Sequence, residues 1–149
     1  MKLKKFDNMN CSLAQALDVI GERWTLLILR DIFLGIKRFD QIQANLGIAR
    51  NILSDRLNRL VEEGIVEKRR SNGARFEYGL SEKGLDLQTV LLSITHWGDK
   101  YKANPKGARL TFVEAQTGEP IAPMAVRAKD GRVLSARDIK ARRGPALED

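Results

Sequence analysis

The sequence predicts a mainly helical α+β fold: a winged helix-turn-helix, a long C-terminal helix and a small β-rich C-terminal extension. Three observations predict it. A short amphipathic segment, a glycine turn and a longer amphipathic segment follow one another between residues 39 and 63. A basic segment over 65–80, turning at Asn72-Gly73, comes directly after them. Beyond that a long helical periodicity begins, and three of the four prolines (Pro120, Pro123, Pro145) gather after residue 107.

Each element has a local cause. Ser12 is suited to cap a first helix over 12–20, where Leu13, Ala16, Leu17 and Ile20 recur at helical spacing until Gly21 interrupts. A second helix is expected over 23–34, apolar on nearly every side and ending at Gly35. A short third helix over 39–44 turns Phe39, Ile42 and Leu46 inward, and Gly47 makes the turn. The fourth, over 49–63, carries an apolar stripe of Ile52, Leu53, Leu57, Leu60 and Val61. At 100° per residue, Asn51, Asp55, Asn58 and Arg59 fall opposite that stripe, with Arg50 and Ser54 to one side. Asn-Gly between alternating apolar runs is a strong hairpin signal, so 65–70 and 75–80 are expected to pair across a turn over 71–74. One long helix is expected from 81 to about 103, with Leu85, Val90 or Leu91, Ile94 and Trp97 on its apolar side. In the extension, 109–113 reads as a strand, 116–119 as a turn, and 125–134 as a second hairpin turning at Lys129-Asp130-Gly131. Residues 1–104 and 105–149 are the expected domains.

Composition excludes several function classes. A chain of 149 residues is long enough to bury a real core. One cysteine, Cys11, cannot make an internal disulfide or a thiolate-rich zinc site. One histidine, His96, leaves little for imidazole chemistry, and there is no glycine-rich phosphate loop and no nucleophile–base pair with an orienting group. An enzyme is therefore not expected, nor a cofactor or metal. The basic N-terminus is not followed by the apolar core of a signal peptide, and no apolar stretch approaches the roughly 20 residues of a membrane helix. No membrane partner is expected, and a reducing cytoplasm is the expected compartment.

The net charge of +7 favours an anionic partner. Placement matters more than the total, because residues 36–80 hold 9 basic and 6 acidic groups. The acids gather at Glu62, Glu63 and Glu67, while Lys68, Arg69, Arg70 and Arg75 cross the hairpin turn with no acid between them. A helix-turn-helix pattern alone occurs in many helical proteins, and a basic hairpin alone can be a solvated edge that guards against aggregation. Together, in this order, they point to double-stranded DNA. The second helix of the pair fits the major groove, and a basic wing reaches phosphates or the neighbouring minor groove. Arg50, Asn51, Ser54, Asp55 and Asn58 are the expected groove-facing residues, with Arg59 beside them. Arginine can pair bidentately with guanine and asparagine with adenine. Asp55 either accepts from cytosine or pairs with Arg59. Lys37 and Arg38 are expected to anchor phosphate, as are Arg70, Asn72 and Arg75 on the wing. Arg56, closer to the apolar stripe, is expected to serve a structural ion pair.

The chain also resembles the HxlR-type winged-helix transcriptional regulators, whose architecture is MarR-like. The likeness runs through Cys11-Ser12-Leu13, residues 16–21, residues 23–31, Gly35, Arg38-Phe39, Gly47-Ile48, residues 53–57, Leu60, Glu63-Gly64, residues 78–84 and Trp97-Gly98. It covers about residues 9–103 and departs at Ser12, where the family commonly has proline. The resemblance implies a sequence-specific regulator acting as a homodimer on a pseudo-palindromic operator. It implies an interface built from the first helix (Leu13, Ala16, Leu17, Ile20) and the long helix (Leu85, Val90, Leu91, Ile94, Trp97). The same apolar residues could instead fill a monomer core. Several family members sense oxidants or electrophiles through a cysteine at the position of Cys11, which could equally be a small apolar residue near the interface. Some relatives end in a zinc-ribbon-like tail; here the matching cysteine positions hold Thr117, Arg127 and Asp130, implying a ribbon that has lost its metal. A dimer cleft could also bind an unknown small-molecule effector. The alternative function is a winged-helix module for protein–protein contact, with no operator of its own and its basic face toward an acidic partner.

Overall fold

The structure, a computed structural model, describes residues 5–73 and 75–147. Ala74, placed in the hairpin turn from the sequence, lies outside the described residues. The chain divides into two compact units, Met1–Gln88 and Thr89–Asp149, so the division falls ahead of the residue-104 boundary expected from composition.

The first unit runs α1 (Ser12–Ile20), α2 (Thr25–Phe33), α3 (Phe39–Leu46), α4 (Arg50–Glu62), β1 (Val66–Arg70), β2 (Phe76–Leu80) and α5 (Glu82–Leu85). Its core is filled from α2, α3, α4 and the start of the hairpin. Ile28, Leu29, Ile42, Leu53, Leu57, Leu60, Ile65 and Val66 are all fully buried. Ile20 joins them at the end of α1, which places it in the monomer's own core. The cap of α1 differs from expectation. Cys11 occupies the cap position in extended conformation and makes no side-chain cap bond, while Ser12 is already helical. The second helix is less enclosed than its composition suggests, since Leu27 and Leu34 stay exposed.

One buried charge fixes how α2 meets α3. Asp31 is fully buried, so its carboxylate must be paired. Oδ1 accepts from Arg30 Nη2 at 2.8 Å and Nε at 3.1 Å, and Oδ2 accepts from Asn45 Nδ2 at 2.9 Å. Asn45 is in the last turn of α3, directly ahead of the tight turn. That turn needs glycine: Gly47 has φ +64° while its N–H bonds the Gln43 carbonyl at 2.9 Å, closing α3 before α4 begins.

The hairpin is antiparallel, with Val66 opposite Leu80, Lys68 opposite Tyr78 and Arg70 opposite Phe76. It is tied to the segment before α3, because Tyr78 N–H bonds the Lys37 carbonyl at 2.8 Å. Its base is clamped by Ser81. That hydroxyl donates to the Ile65 carbonyl at 3.0 Å and accepts from Gly84 N–H at 3.1 Å, capping α5.

The expected single helix from 81 to 103 is two helices, α5 and α6 (Gln88–Tyr101). Gly84 is pressed against the Ile65 carbonyl, just ahead of β1, where the α ladder ends; Leu87 N–H bonds the Gly84 carbonyl in the tighter i→i−3 pattern. No residue of α6 is fully buried. The second unit packs one side of α6 on the extension. Leu92, Thr95, His96 and Asp99 line a groove of about 240 Å³ with Leu110, Phe112, Ile121 and Met124. Asp99 pairs with Arg109 at 3.4 Å, and Arg109 Nη2 also reaches the Lys102 carbonyl at 2.9 Å. Val90, Ile94, Trp97 and Tyr101 follow a second helical stripe and stay exposed.

The extension is sparser in strands than its pattern suggests. The expected strand over 109–113 is reduced to one bridge, Val113 with Pro120. Pro120 and Pro123 lack the N–H donors that a longer ladder needs. The second hairpin forms as β3 (Val126–Arg127) paired with β4 (Val133–Leu134), turning through Gly131 at φ +91°. A one-turn 3₁₀ helix, Ala136–Asp138, follows in a capping box; the Ser135 N–H and hydroxyl hold the Asp138 carboxyl below its usual range.

The fourth helix is also held at its side. Arg56 Nη2 donates to Glu22 Oε1 at 2.9 Å, and Arg56 Nε lies 2.6 Å from Glu22 Oε2. Burial alone would raise the Glu22 carboxyl. Hydrogen bonds from Arg56 and the Trp24 N–H, with the Arg56 charge, outweigh it and hold the group below its ordinary 4.5. Arg59 adds a bond to the Asp18 carbonyl at 3.0 Å.

Two outcomes follow. Gly84→Ala should destabilise the chain by about 1–3 kcal/mol, despite the roughly 1 kcal/mol that alanine usually gains in a helix. The new Cβ would stand 2.3 Å from the Ile65 carbonyl oxygen, a backbone atom that cannot swing away. A lower urea midpoint with an unchanged slope is the expected reading. Because the folded Glu22 carboxyl titrates below its unfolded value, the pair stabilises above that unfolded value and is lost as pH falls through the folded one. Glu22→Gln should therefore cost up to about 1 kcal/mol at pH 7, and the gap between variant and parent should close once the pH falls below the folded carboxyl's lowered value. Urea midpoints under the two conditions check it.

Candidate nucleic-acid interface

Burying Leu53, Leu57 and Leu60 turns the opposite side of α4 outward. Arg50, Asn51, Asp55, Asn58 and Arg59 are exposed and Ser54 is half-buried. Arg50 is the first residue of the helix, at the positive end of its dipole.

The hairpin has two different faces, because side chains alternate along a strand. Lys68 and Arg70 share one face with Phe76 and Tyr78, set by the register Lys68–Tyr78 and Arg70–Phe76. Glu67, Arg69 and Glu77 are on the other. There Arg69 pairs with Glu67, and its guanidinium covers Gly79.

The first face and α4 together enclose an open cleft of about 550 Å³. Arg38, Arg50, Lys68 and Arg75 converge on it with Ser54 and Asn58, and Asp40 is its single acid. Phe39, Phe76 and Tyr78 supply apolar walls. Tyr78 is almost completely buried, which pushes its phenol above the ordinary 10.0. Such a surface is concave, cationic and edged with hydrogen-bonding side chains, which suits a phosphate backbone and base edges.

The structure brings together Arg38, Arg50, Ser54, Asn58 and Arg75 of the residues expected to meet DNA. Asn51 is exposed at the first turn of α4, and Asn72 is exposed at the hairpin tip. Arg70 stacks on Phe76 with its guanidinium carbon 5.6 Å from the ring centre. Lys37 is exposed beside the cleft, its carbonyl taken by Tyr78. Asp55 and Arg59 belong to the opposite side of α4. They line a separate cleft of about 790 Å³ with Asp18, Glu22 and Arg56. Asp55 pairs with Arg56, whereas the sequence suggested Arg59; Arg59 is instead 3.9 Å from Glu63 and bonded to Asp18. The ion-pair role expected for Arg56 is what the structure contains.

Sequence reasoning placed Lys68 on the basic wing without naming it among the contact residues, and it left out Phe39, Asp40, Phe76 and Tyr78 as cleft residues. The period-2 alternation of the hairpin could have found Lys68, since it shares the face of Arg70. Phe39 and Asp40 carried no such signal, because only the crossing of α3 and α4 brings them to the cleft.

Of the residues expected to build an interface, Leu13, Ala16, Leu17, Leu85, Val90, Ile94 and Trp97 are exposed, Leu91 is half-buried and Ile20 is buried. Cys11 is a free, exposed thiol. Among the described residues no group of His, Cys, Asp or Glu could hold a metal ion, and no helix is long and apolar enough to cross a membrane.

The chain matches the HxlR-like helix-turn-helix family over residues 19–106. It is 39% identical over 139 residues to an uncharacterised HTH-type transcriptional regulator of Mycobacterium tuberculosis, covering 92% of this chain and 88% of that one. The crystal structure of PA1607, assigned as a transcription factor, superposes with a TM-score of 0.86 at 39% identity, covering 95% of this chain and 100% of that one. The redox regulator HypR in its reduced form superposes with a TM-score of 0.57 at 26% identity, covering 62% of this chain and 94% of that one. With a cationic cleft between its second helix-turn-helix helix and its wing, the chain belongs to the HxlR-like helix-turn-helix family of DNA-binding transcriptional regulators, which are not enzymes.

Proposed function

We propose that the chain regulates transcription by binding a specific, pseudo-palindromic operator as a homodimer. The observation that carries this is the convergence of Arg38, Arg50, Lys68 and Arg75 around Ser54 and Asn58 in one open cleft. Arg50 and Asn51, at the leading end of α4, read base edges. Ser54 and Asn58 touch bases or phosphates one and two turns further on. Lys37, Arg38, Arg70, Asn72 and Arg75 hold the backbone on either side. Asp55, offset by Arg56, and Arg59, bonded to Asp18, serve the α1 side of the helix.

A homodimer is supported by the apolar residues that the monomer leaves in water. Leu13 on α1 is 67% exposed, and Ile94 and Trp97 on α6 are 52% and 58% exposed. Exposed apolar residues repeated along one helix mark a contact surface, and α1 and α6 each carry such residues. A two-fold dimer presents two copies of α4 to half-sites about 10 bp apart, or a multiple of that.

Cys11 is proposed as the oxidant-responsive group. Its free, exposed thiol at the head of α1 and the likeness to the redox regulator HypR support this. Two Cys11 thiols, one from each copy, give one disulfide and release two protons and two electrons, which an azo oxidant such as diamide takes up to become the hydrazine. The new bond alters the dimer and with it the half-site spacing.

Selection of DNA from a random pool by the purified chain should return a site with two-fold symmetry; a pool with no preferred sequence would favour the protein–protein module instead. On the selected site, Arg75→Ala should weaken binding equally on operator and random DNA and reduce the salt slope by about one. Arg50→Ala should relax the sequence preference by about 1–3 kcal/mol. Equal losses on both DNAs for both variants would sink this division. Diamide should change operator binding of the parent and leave Cys11→Ser unaffected, and identical responses of the two would remove the sensor.

A further inference from the structure

We propose that Phe39 and Phe76 are positioning residues whose ring faces hold the cleft cations in place before DNA arrives. This rests on the DNA-binding role of the cleft. The Arg50 guanidinium carbon is 5.0 Å from the centre of the Phe39 ring. Lys68 Nζ is 4.6 Å from the Phe76 ring centre, and the Arg70 guanidinium carbon is 5.6 Å from it. All three cations therefore fall within the range of cation–π attraction.

Arg23 and Lys100 also lie over rings, those of their chain neighbours Trp24 and Tyr101, whereas the cleft contacts join separate elements, and the contrast with the ion-paired arginines makes the case. Arg30, Arg56, Arg59, Arg69, Arg109 and Arg132 each have a carboxylate within 4 Å. Among the described residues, no ion pair engages Arg50, Lys68 or Arg70. A carboxylate would fix these side chains but cancel their charge and compete with phosphate for it. An aromatic face restrains a cation by its quadrupole and leaves the charge whole. Free Arg and Lys side chains carry rotamer entropy, part of which DNA binding must otherwise overcome. The arrangement also explains Phe76 itself. It is 42% exposed near the tip of a hairpin, where a large apolar side chain gains little from burial.

A double-mutant cycle on the selected operator and on random DNA tests this. Phe39→Leu keeps apolar bulk and removes the ring. It should lower operator preference about two- to fivefold, the reach of one exposed cation–π contact. Phe39→Tyr, which keeps a ring, should retain the preference. In an Arg50→Ala background Phe39→Leu should make no further difference. An equal loss in that background, or a Phe39→Tyr variant as impaired as Phe39→Leu, would mean the ring acts through the fold and would overturn the proposal. Phe76, being exposed, gives an arm free of folding effects. Phe76→Leu should weaken binding to random DNA about two- to fivefold, and should do nothing once Lys68 and Arg70 are both alanine. A persisting loss there would mean that the ring itself touches DNA, again overturning the proposal. If Arg50→Ala leaves operator preference intact, it is the base-reading role of Arg50 that fails, and the Phe39 arm falls with it; that result differs from an effective Arg50→Ala with no coupling to Phe39.

Discussion

The architecture of the first unit depends on burying one stripe of one helix. Leu53, Leu57 and Leu60 on α4 are all at or near zero exposure, as are Ile28, Leu29, Ile42 and Val66. Each fully buried leucine contributes about 1.5–3 kcal/mol, so no rotation of α4 that exposes them competes. That constraint decides everything on the opposite face. It aims Arg50, Ser54 and Asn58 at the hairpin, and it leaves Asp55 and Arg59 on the α1 side. The hairpin then follows, because β1 starts directly below the end of α4 with Ile65 and Val66 in the same core.

Charge is sorted by what surrounds it. On the α1 side of α4, both arginines have oxygen partners: Arg56 holds Glu22 and Asp55, and Arg59 holds Asp18 and Glu63. On the outer face of the hairpin, Arg69 is engaged by Glu67. Toward the cleft, Arg50 rests on Phe39 and Lys68 on Phe76, and both keep their charge. The molecule thus separates basic residues that hold the fold together from those available to an anionic partner. The separation arises from residue spacing of two in a strand and about 3.6 in a helix.

The second unit makes the same use of two faces on a single helix. One side of α6 packs on its own extension through Leu92, Thr95 and Asp99, with Arg109 tying the chain back. The other presents Val90, Ile94, Trp97 and Tyr101 to solvent, with Trp97 and Tyr101 in ring contact at 5.3 Å. An apolar stripe left open on a regular helix is unfavourable for a lone chain, and it is this stripe that supports the proposed homodimer.

Much of the fold was legible along the chain. The stripe on α4, the glycine turn at Gly47 and the Asn72-Gly73 hairpin are local signals, since each depends on residues within a few positions of one another. Arg50, Ser54 and Asn58 were legible for the same reason. The split between α5 and α6 was not, because it follows from Gly84 meeting the Ile65 carbonyl, a contact between elements. Nor was the partner of Asp55, which depends on Glu22 drawing Arg56 to that side. The loss of the strand at 109–113 turned on which residue it faced, and that residue was Pro120. The sequence by itself determined the helical and hairpin periods, and through them which residues share a face. Only the tertiary structure decided which faces meet: Phe39 under Arg50, Phe76 under Lys68, and Glu22 against Arg56 come from separate elements, and contacts between elements are fixed by packing rather than by spacing.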